Sequence, residues 1–256
     1  MIRLLTAKLL SYRSFHKFTL LHVSLIALLC YIASRFTLNI QGSIDELRNL
    51  FALPGVWRTV TGLSRWLFYI PAFFVVQLVC AEFELKVVRA QVIAGLERWQ
   101  IVASWVAQNL LMSLIAVAAT IACGALLGYN SVASTDSSLT SSLLQIMRSE
   151  LGYVIYGMAF LNAAVLCGVL LRRPVPAIIL LVLWPMLAEP ALSYGLEHYG
   201  LGAVVAYLPF ASLGTLVTWH ETSAVFDPLA ITTLVATLYA ALAAGAAWLV
   251  LEKADL

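Results

Sequence analysis

Charge is what this chain has least of. Of 256 residues, 11% are Asp, Glu, Lys or Arg, 62% are hydrophobic, and the mean hydropathy is +0.94. A soluble domain carries about 25% charged residues. With so few polar groups the chain cannot cover its own surface, so lipid must be its main solvent. That excludes a soluble enzyme, a nucleic-acid binder and a disordered tail, and a net charge of +2 is too small to point to a polyanionic partner. Cysteine is also sparse. Cys30, Cys80, Cys123 and Cys167 all fall in apolar runs, form no C-x-x-C and have no histidine at metal spacing. They read as small buried hydrophobes.

Catalytic motifs are missing too. There is no G-x-x-x-x-G-K-[ST] and not one Gly-Lys pair, so the chain is not expected to hydrolyse ATP alone. A zinc protease would want H-E-x-x-H, whereas the sequence runs His220-Glu221-Thr222-Ser223-Ala224. A serine intramembrane protease would need a nucleophile facing a histidine within a span. His22 is the one histidine in a span, and no such serine motif faces it. The pairs Glu197-His198 and His220-Glu221 could converge on a metal, but water-exposed neighbours of this kind are expected simply to be solvated. No metal site is predicted.

What is present is six apolar segments, at about 18–38, 63–81, 101–127, 151–171, 175–195 and 228–251. A membrane-spanning helix needs about 20 such residues. Lacking period-2 alternation, these runs read as helices and not as barrel strands. The predicted fold is therefore all-α, a polytopic bundle of six spans in a single domain over 1–256. Before the first run, Ile2, Leu5, Leu9 and Tyr12 share one helical face while Arg3, Arg13 and Lys17 lie opposite. This is the pattern of an interfacial amphipathic helix over 1–17. No A-x-A cleavage site follows the first run, so it is expected to be an uncleaved span.

Lys and Arg set the orientation. With the N-terminus inside, Arg3, Lys8, Arg13, Lys17, Lys86, Arg89, Arg98, Arg172, Arg173 and Lys253 fall inside, against Arg35, Arg48, Arg58, Arg65 and Arg148 outside. Both termini are then expected in the cytoplasm. The uncharged stretch 200–218 is broken by Pro209 and punctuated by Gly200, Gly202 and Gly214. It is expected to be a re-entrant or surface-lying helical pair on the outer side, since re-entrant backbone is tolerated only under protein cover. The segment 36–62 reads as a polar outer connection, and 131–142, with eight Ser/Thr residues, as a flexible loop.

A few polar residues sit within the apolar runs. Glu189 lies between Pro185 and Pro190, where a charge must face water or a partner. Either it is a cavity or gate residue, or the helix frays there and the carboxylate reaches the headgroups. Gln77, Gln108, Asn109 and Asn162 either cross-link helices or line a translocation path. Ala116, Thr120, Gly124 and Gly128, like Ala236, Ala240 and Ala244, form small-residue rows suited to close helix packing. The inner segment 82–100 is charged yet looks helical: Glu82 and Lys86 stand at i,i+4, Arg89 shares their face, and Gly95 precedes Glu97-Arg98-Trp99. A charged helix-turn joined to two spans can carry force from a cytoplasmic partner.

Taken together, these features resemble the membrane subunit of an ABC-2-type (type V) ABC transporter. The local match runs from Cys80-Ala81-Glu82-Phe83-Glu84-Leu85-Lys86 to Arg89, then Ile93-Ala94-Gly95-Leu96-Glu97-Arg98-Trp99-Gln100. Where that family often has Gly-Lys early in span three, this chain has Ser104-Trp105. The resemblance implies a coupling helix within 82–100, with Glu82, Glu84, Lys86, Arg89, Gly95, Glu97 and Arg98 docking on a separate ATPase. It also implies two ATPase copies holding ATP and Mg, a second permease half, a bacterial inner membrane and export of a substrate. The chain itself would hold no cofactor, and Gln77, Asn109, Asn162 and Glu189 are the candidate path or gate residues. An ion-coupled carrier using Glu189 is the alternative, with an intramembrane enzyme behind it.

Overall fold

The computed structural model describes residues 13–39, 56–130, 139–218 and 228–253. Most of the predicted interfacial helix, much of the 36–62 connection and the His220-Glu221 pair lie outside the described residues. Those described are helical, with no strand among them. In chain order the helices are α1 (Arg13–Asn39), α2 (Val56–Ser64), α3 (Tyr69–Glu84), α4 (Val87–Ile93), α5 (Arg98–Asn130), α6 (Leu139–Leu171), α7 (Pro174–Leu183), α8 (Glu189–His198), α9 (Gly202–Val205), α10 (Pro209–Thr218) and α11 (Pro228–Glu252). A 3₁₀ turn, Arg65–Phe68, joins α2 to α3, and a π-turn, Trp184–Ala188, joins α7 to α8.

Among the described residues, five helical runs are long and apolar enough to cross a membrane: Val56–Glu84, Arg98–Leu127, Ser149–Leu171, Pro174–His198 and Ile231–Glu252. This is the architecture of an integral membrane protein. In α1 the apolar stretch His16–Ile32 is shorter. Neither α9 nor α10 crosses alone: the ten residues of α10 reach roughly 15 Å, about half the hydrocarbon thickness.

Ser149–Leu171 is the central span, with 61% of its most apolar stretch buried, against 17% for Pro174–His198 and for Ile231–Glu252. Those two helices leave most of their surface to lipid or to another chain. The core is aromatic around Phe68, whose ring lies 5.0 Å from Tyr153 and 5.7 Å from Tyr156, while Tyr69 meets Phe160 edge-on at 4.8 Å. The small-residue rows do pack closely. Ala116, Thr120 and Gly124 of α5 are buried, as are Ala236 and Ala240 of α11. At Gly124 an added Cβ would stand 2.4 Å from the Trp57 ring.

Three boundaries differ from the sequence reading. Span two begins at Val56, not 63: Val56, Trp57, Val60, Thr61 and Ser64 repeat at helical spacing and are buried. Of the predicted 131–142 loop, residues 139–142 belong to α6, which begins at Leu139, and the rest lies outside the described residues. Instead of fraying at Pro185, the fifth span continues to His198 through the five-residue π-turn. Such a bulge absorbs the missing amide of Pro185.

Candidate functional site

At one end of the bundle, α3 hands over to α4. Lys86 adopts a left-handed φ of 56°, so the unbroken helix that a Glu82–Lys86 i,i+4 pair requires does not exist. After α4, Gly95 takes φ 87°, with Leu96 N–H donating to the Gln91 carbonyl at 3.1 Å and Gly95 N–H to Val92 at 3.0 Å. This is a Schellman cap, for which glycine at that position is the usual sequence signal.

The seven residues predicted to couple to an ATPase separate here. Glu82 is fully buried, and its Oε2 accepts the indole N–H of Trp105 at 3.0 Å, cross-linking α3 to α5. Arg98 donates from Nη1 to the carbonyls of Leu251, at 2.9 Å, and Glu252, closing the C-terminus of α11. A cation there satisfies orphan carbonyls and opposes the negative end of the helix. Glu97 accepts the indole N–H of Trp99 within its own segment. Glu84, Lys86 and Arg89 remain exposed. They line a cavity of about 470 Å³ together with Phe83, Arg172 and Arg173. Arg172 and Arg173 belong to the α6–α7 turn, which sequence reasoning had treated only as a tight connection.

At the other end lies a larger cleft, about 920 Å³, whose lining includes Arg65, Trp66, Tyr69, Tyr156, Glu189 and Phe210. Glu189 is buried. Its Oε2 accepts the Phe210 N–H at 3.0 Å and its Oε1 the Ala211 N–H at 2.6 Å. The donors that open α10 are thereby all accounted for. Leu208 N–H reaches Val205, Pro209 has no N–H, and Phe210 and Ala211 take the carboxylate. A carboxylate at a helix N-terminus also meets the positive end of the macrodipole. Glu189 therefore faces inward, onto the N-terminus of α10.

Arg65 flanks the same cleft, stacked over the Trp66 ring at 5.1 Å, with Nη1 3.5 Å from the Gly214 carbonyl of α10. Tyr239 of α11 donates to the Tyr207 carbonyl at 2.8 Å just before α10. Thus α10 and the segment just before it are tied to three separate elements, and α10 borders an aromatic cleft that carries one cation, Arg65, the occupied carboxylate of Glu189 and a second carboxylate, Glu197.

Of the other predicted path residues, Asn109 and Asn162 meet each other away from this cleft, and Gln77 stands apart. Asn109 Nδ2 donates to Asn162 Oδ1 at 3.0 Å, and Asn162 Nδ2 to the Ala240 carbonyl at 3.1 Å. Both are buried, so here they join α5, α6 and α11. Gln108 is buried too, whereas Gln77 is exposed beside fully buried Val76.

Sequence reading missed Glu150, one residue before the predicted fourth span. It is buried, accepts the Thr120 hydroxyl at 2.8 Å through Oε2, and its Oε1 has no partner among the described residues. The Trp57 indole N–H is likewise unpartnered. Buried polar atoms of this kind are normally satisfied by ordered water. His22 of α1, the histidine that the sequence reading placed within a span, is buried with its ring 5.4 Å from Phe68. No protein-family model and no curated protein matches this chain, so its function has to be argued from its own residues.

Proposed function

We propose that this chain is the membrane-spanning permease subunit of an ABC transporter of the ABC-2 type. In this reading α1 completes six crossings, α9 and α10 re-enter from the outer side, and the end bearing Lys86, Arg89, Arg172 and Arg173 faces the cytoplasm of a bacterial inner membrane. The chain pairs with a second permease half, and two copies of a separate ATPase bind ATP and Mg. Their closure moves the coupling segments together and switches access to the cleft under α10, exporting a substrate.

The observation that carries this reading is α4. It is a seven-residue helix set between the left-handed Lys86 and Gly95, rigidly joined to two apolar spans, with Arg89, Ala90 and Ile93 exposed. Trp105 stands where the resembled family often has Lys, and it gives the buried Glu82 a neutral donor instead of a cation.

The test is purification from gently solubilised membranes. A stoichiometric ATPase bearing its own phosphate-binding loop should accompany the chain and be lost on charge reversal at Glu84 and Arg89, whose side chains are exposed. Glu82 and Arg98 are poor probes, because each holds helices together. Absence of any ATPase across several mild detergents would sink the reading.

One observation favours a second reading, an ion-coupled carrier. Glu150 keeps a carboxylate oxygen with no partner among the described residues, while both oxygens of Glu189 are engaged by backbone. ATP-independent flux that is lost in Glu150→Gln would support it, and unchanged flux would end it.

A further inference from the structure

The cavity between the α3–α4 corner and the α6–α7 turn is unusual in its charge. Lys86, Arg89, Arg172 and Arg173 line it, against the single carboxylate of Glu84. All five side chains are exposed. The Arg172 guanidinium is held over the Phe83 ring, 5.2 Å from its centroid. The aromatic contact fixes the cation at the wall of the cavity and leaves its N–H groups able to donate.

Backbone strain converges on the same place. Among the described residues, Lys86 and Arg172 are the two non-glycine positions with positive φ, at 56° and 51°. Each closes a helix, with Lys86 N–H on the Phe83 carbonyl at 3.0 Å and Arg172 N–H on Gly168 at 2.9 Å. Glycine would serve both turns better. The chain instead places a cation at each, and both line this cavity. Strained positions that persist in this way cluster at functional sites.

Depth in the membrane identifies the ligand. Val56–Glu84 and Ser149–Leu171 end at this cavity, and Pro174–His198 begins there. The cavity therefore sits at the boundary between hydrocarbon and water. Its chain neighbours are apolar and exposed: Leu85 73%, Val175 66% and Leu170 50%. A phosphate in the cavity would have acyl-chain tracks beside it, which a soluble anion would not use. We propose that this cavity binds the phosphate headgroup of an anionic phospholipid, through Lys86, Arg89, Arg172 and Arg173. The site shares Lys86 and Arg89 with the proposed docking segment, but Arg172 and Arg173 lie outside it and the probe is lipid alone, so failure of lipid binding and failure of ATPase docking are told apart.

The test uses the full chain in neutral detergent or phosphatidylcholine nanodiscs, titrated with phosphatidylglycerol. Bound lipid is counted by native mass spectrometry, and the melting temperature is followed in parallel. Wild type should retain one phosphatidylglycerol in preference to phosphatidylcholine and melt higher with it. Lys86→Gly/Arg172→Gly removes two charges while relieving both strained turns. It should melt at or above wild type without lipid, yet bind phosphatidylglycerol about thirtyfold more weakly, at roughly 1 kcal/mol per charge lost. Arg172→Lys/Arg173→Lys should keep the preference, and Arg172→Gln/Arg173→Gln should lose it. Equal binding by wild type and the glycine variant overturns the proposal. So does stabilisation by inorganic phosphate that phosphatidylglycerol cannot exceed, which would make the ligand a free anion.

Discussion

The Glu189 carboxylate and the Ala211 amide stand 2.6 Å apart, linking the helix after the π-turn to the N-terminus of α10 across 22 residues of chain. With the Phe210 bond, this contact fixes α10 over the cleft. Replacing Glu189 by Ala leaves two amides at a partly buried helix end without partners, at roughly 1–3 kcal/mol for each abandoned donor. Glu189→Ala should lower the unfolding midpoint in detergent markedly, and Glu189→Gln, which keeps one acceptor, by less. Equal midpoints for both variants and wild type would show that the tie carries no stability.

How much of this was legible in the sequence depended on whether the partner lay along the helix or across space. Glycine is the usual residue just past a helix end, and at Gly95 the structure puts a Schellman cap. The row Ala116, Thr120, Gly124 announced close packing, and Trp57 fills it. Glu189 stood out as an acid in an apolar run, but nothing local to it could point to the amides of Phe210 and Ala211. Glu82 looked like a surface charge because Lys86 follows at i+4, and the left-handed turn at Lys86 removes that pairing. Glu150 was hidden by its place at the edge of a hydrophobic run. The 56–64 helix could have been found: its buried positions keep a 3.6-residue period, masked by Arg58, Thr59 and Gly62.

The Glu82–Trp105 hydrogen bond predicts a measurable coupling. Leaving a buried donor or acceptor without its partner costs about 1–3 kcal/mol. In a double-mutant cycle, Trp105→Phe and Glu82→Leu should each destabilise the chain, and the double variant should cost less than their sum. Additive effects would show that α3 and α5 are joined by packing and not by this bond.

Glycine substitutions should separate two kinds of constraint. At Gly152 of α6, an added Cβ would stand 2.7 Å from the Leu216 carbonyl oxygen of α10, a backbone atom that cannot turn aside. Gly152→Ala should therefore push α10 away, at roughly 1–3 kcal/mol for overpacking, and alter access to the cleft. At Gly95 nothing lies within 4 Å, and only the φ of 87° resists a side chain. Gly95→Ala should cost about 1–2 kcal/mol and leave cysteine-accessibility labelling of the cleft unchanged. Equal labelling changes in the two variants would contradict the separation.

Arg98 makes the sharpest distinction between holding the fold and contacting a partner. Its guanidinium closes the last turn of α11 through the carbonyls of Leu251 and Glu252. In Arg98→Ala those carbonyls lose their donor and the favourable charge at the helix end, worth typically 0.3–1 kcal/mol at an exposed position. The loss is small globally but local in effect. Hydrogen exchange should accelerate at the amides of 249–253, in the isolated chain and with no partner present. Arg98→Lys keeps the charge without the planar fork, so it should restore part of that protection. If exchange in the last turn of α11 is unchanged in Arg98→Ala, the cap is not what holds that end, and Arg98 would be left free to meet a partner as its place before the third span first suggested.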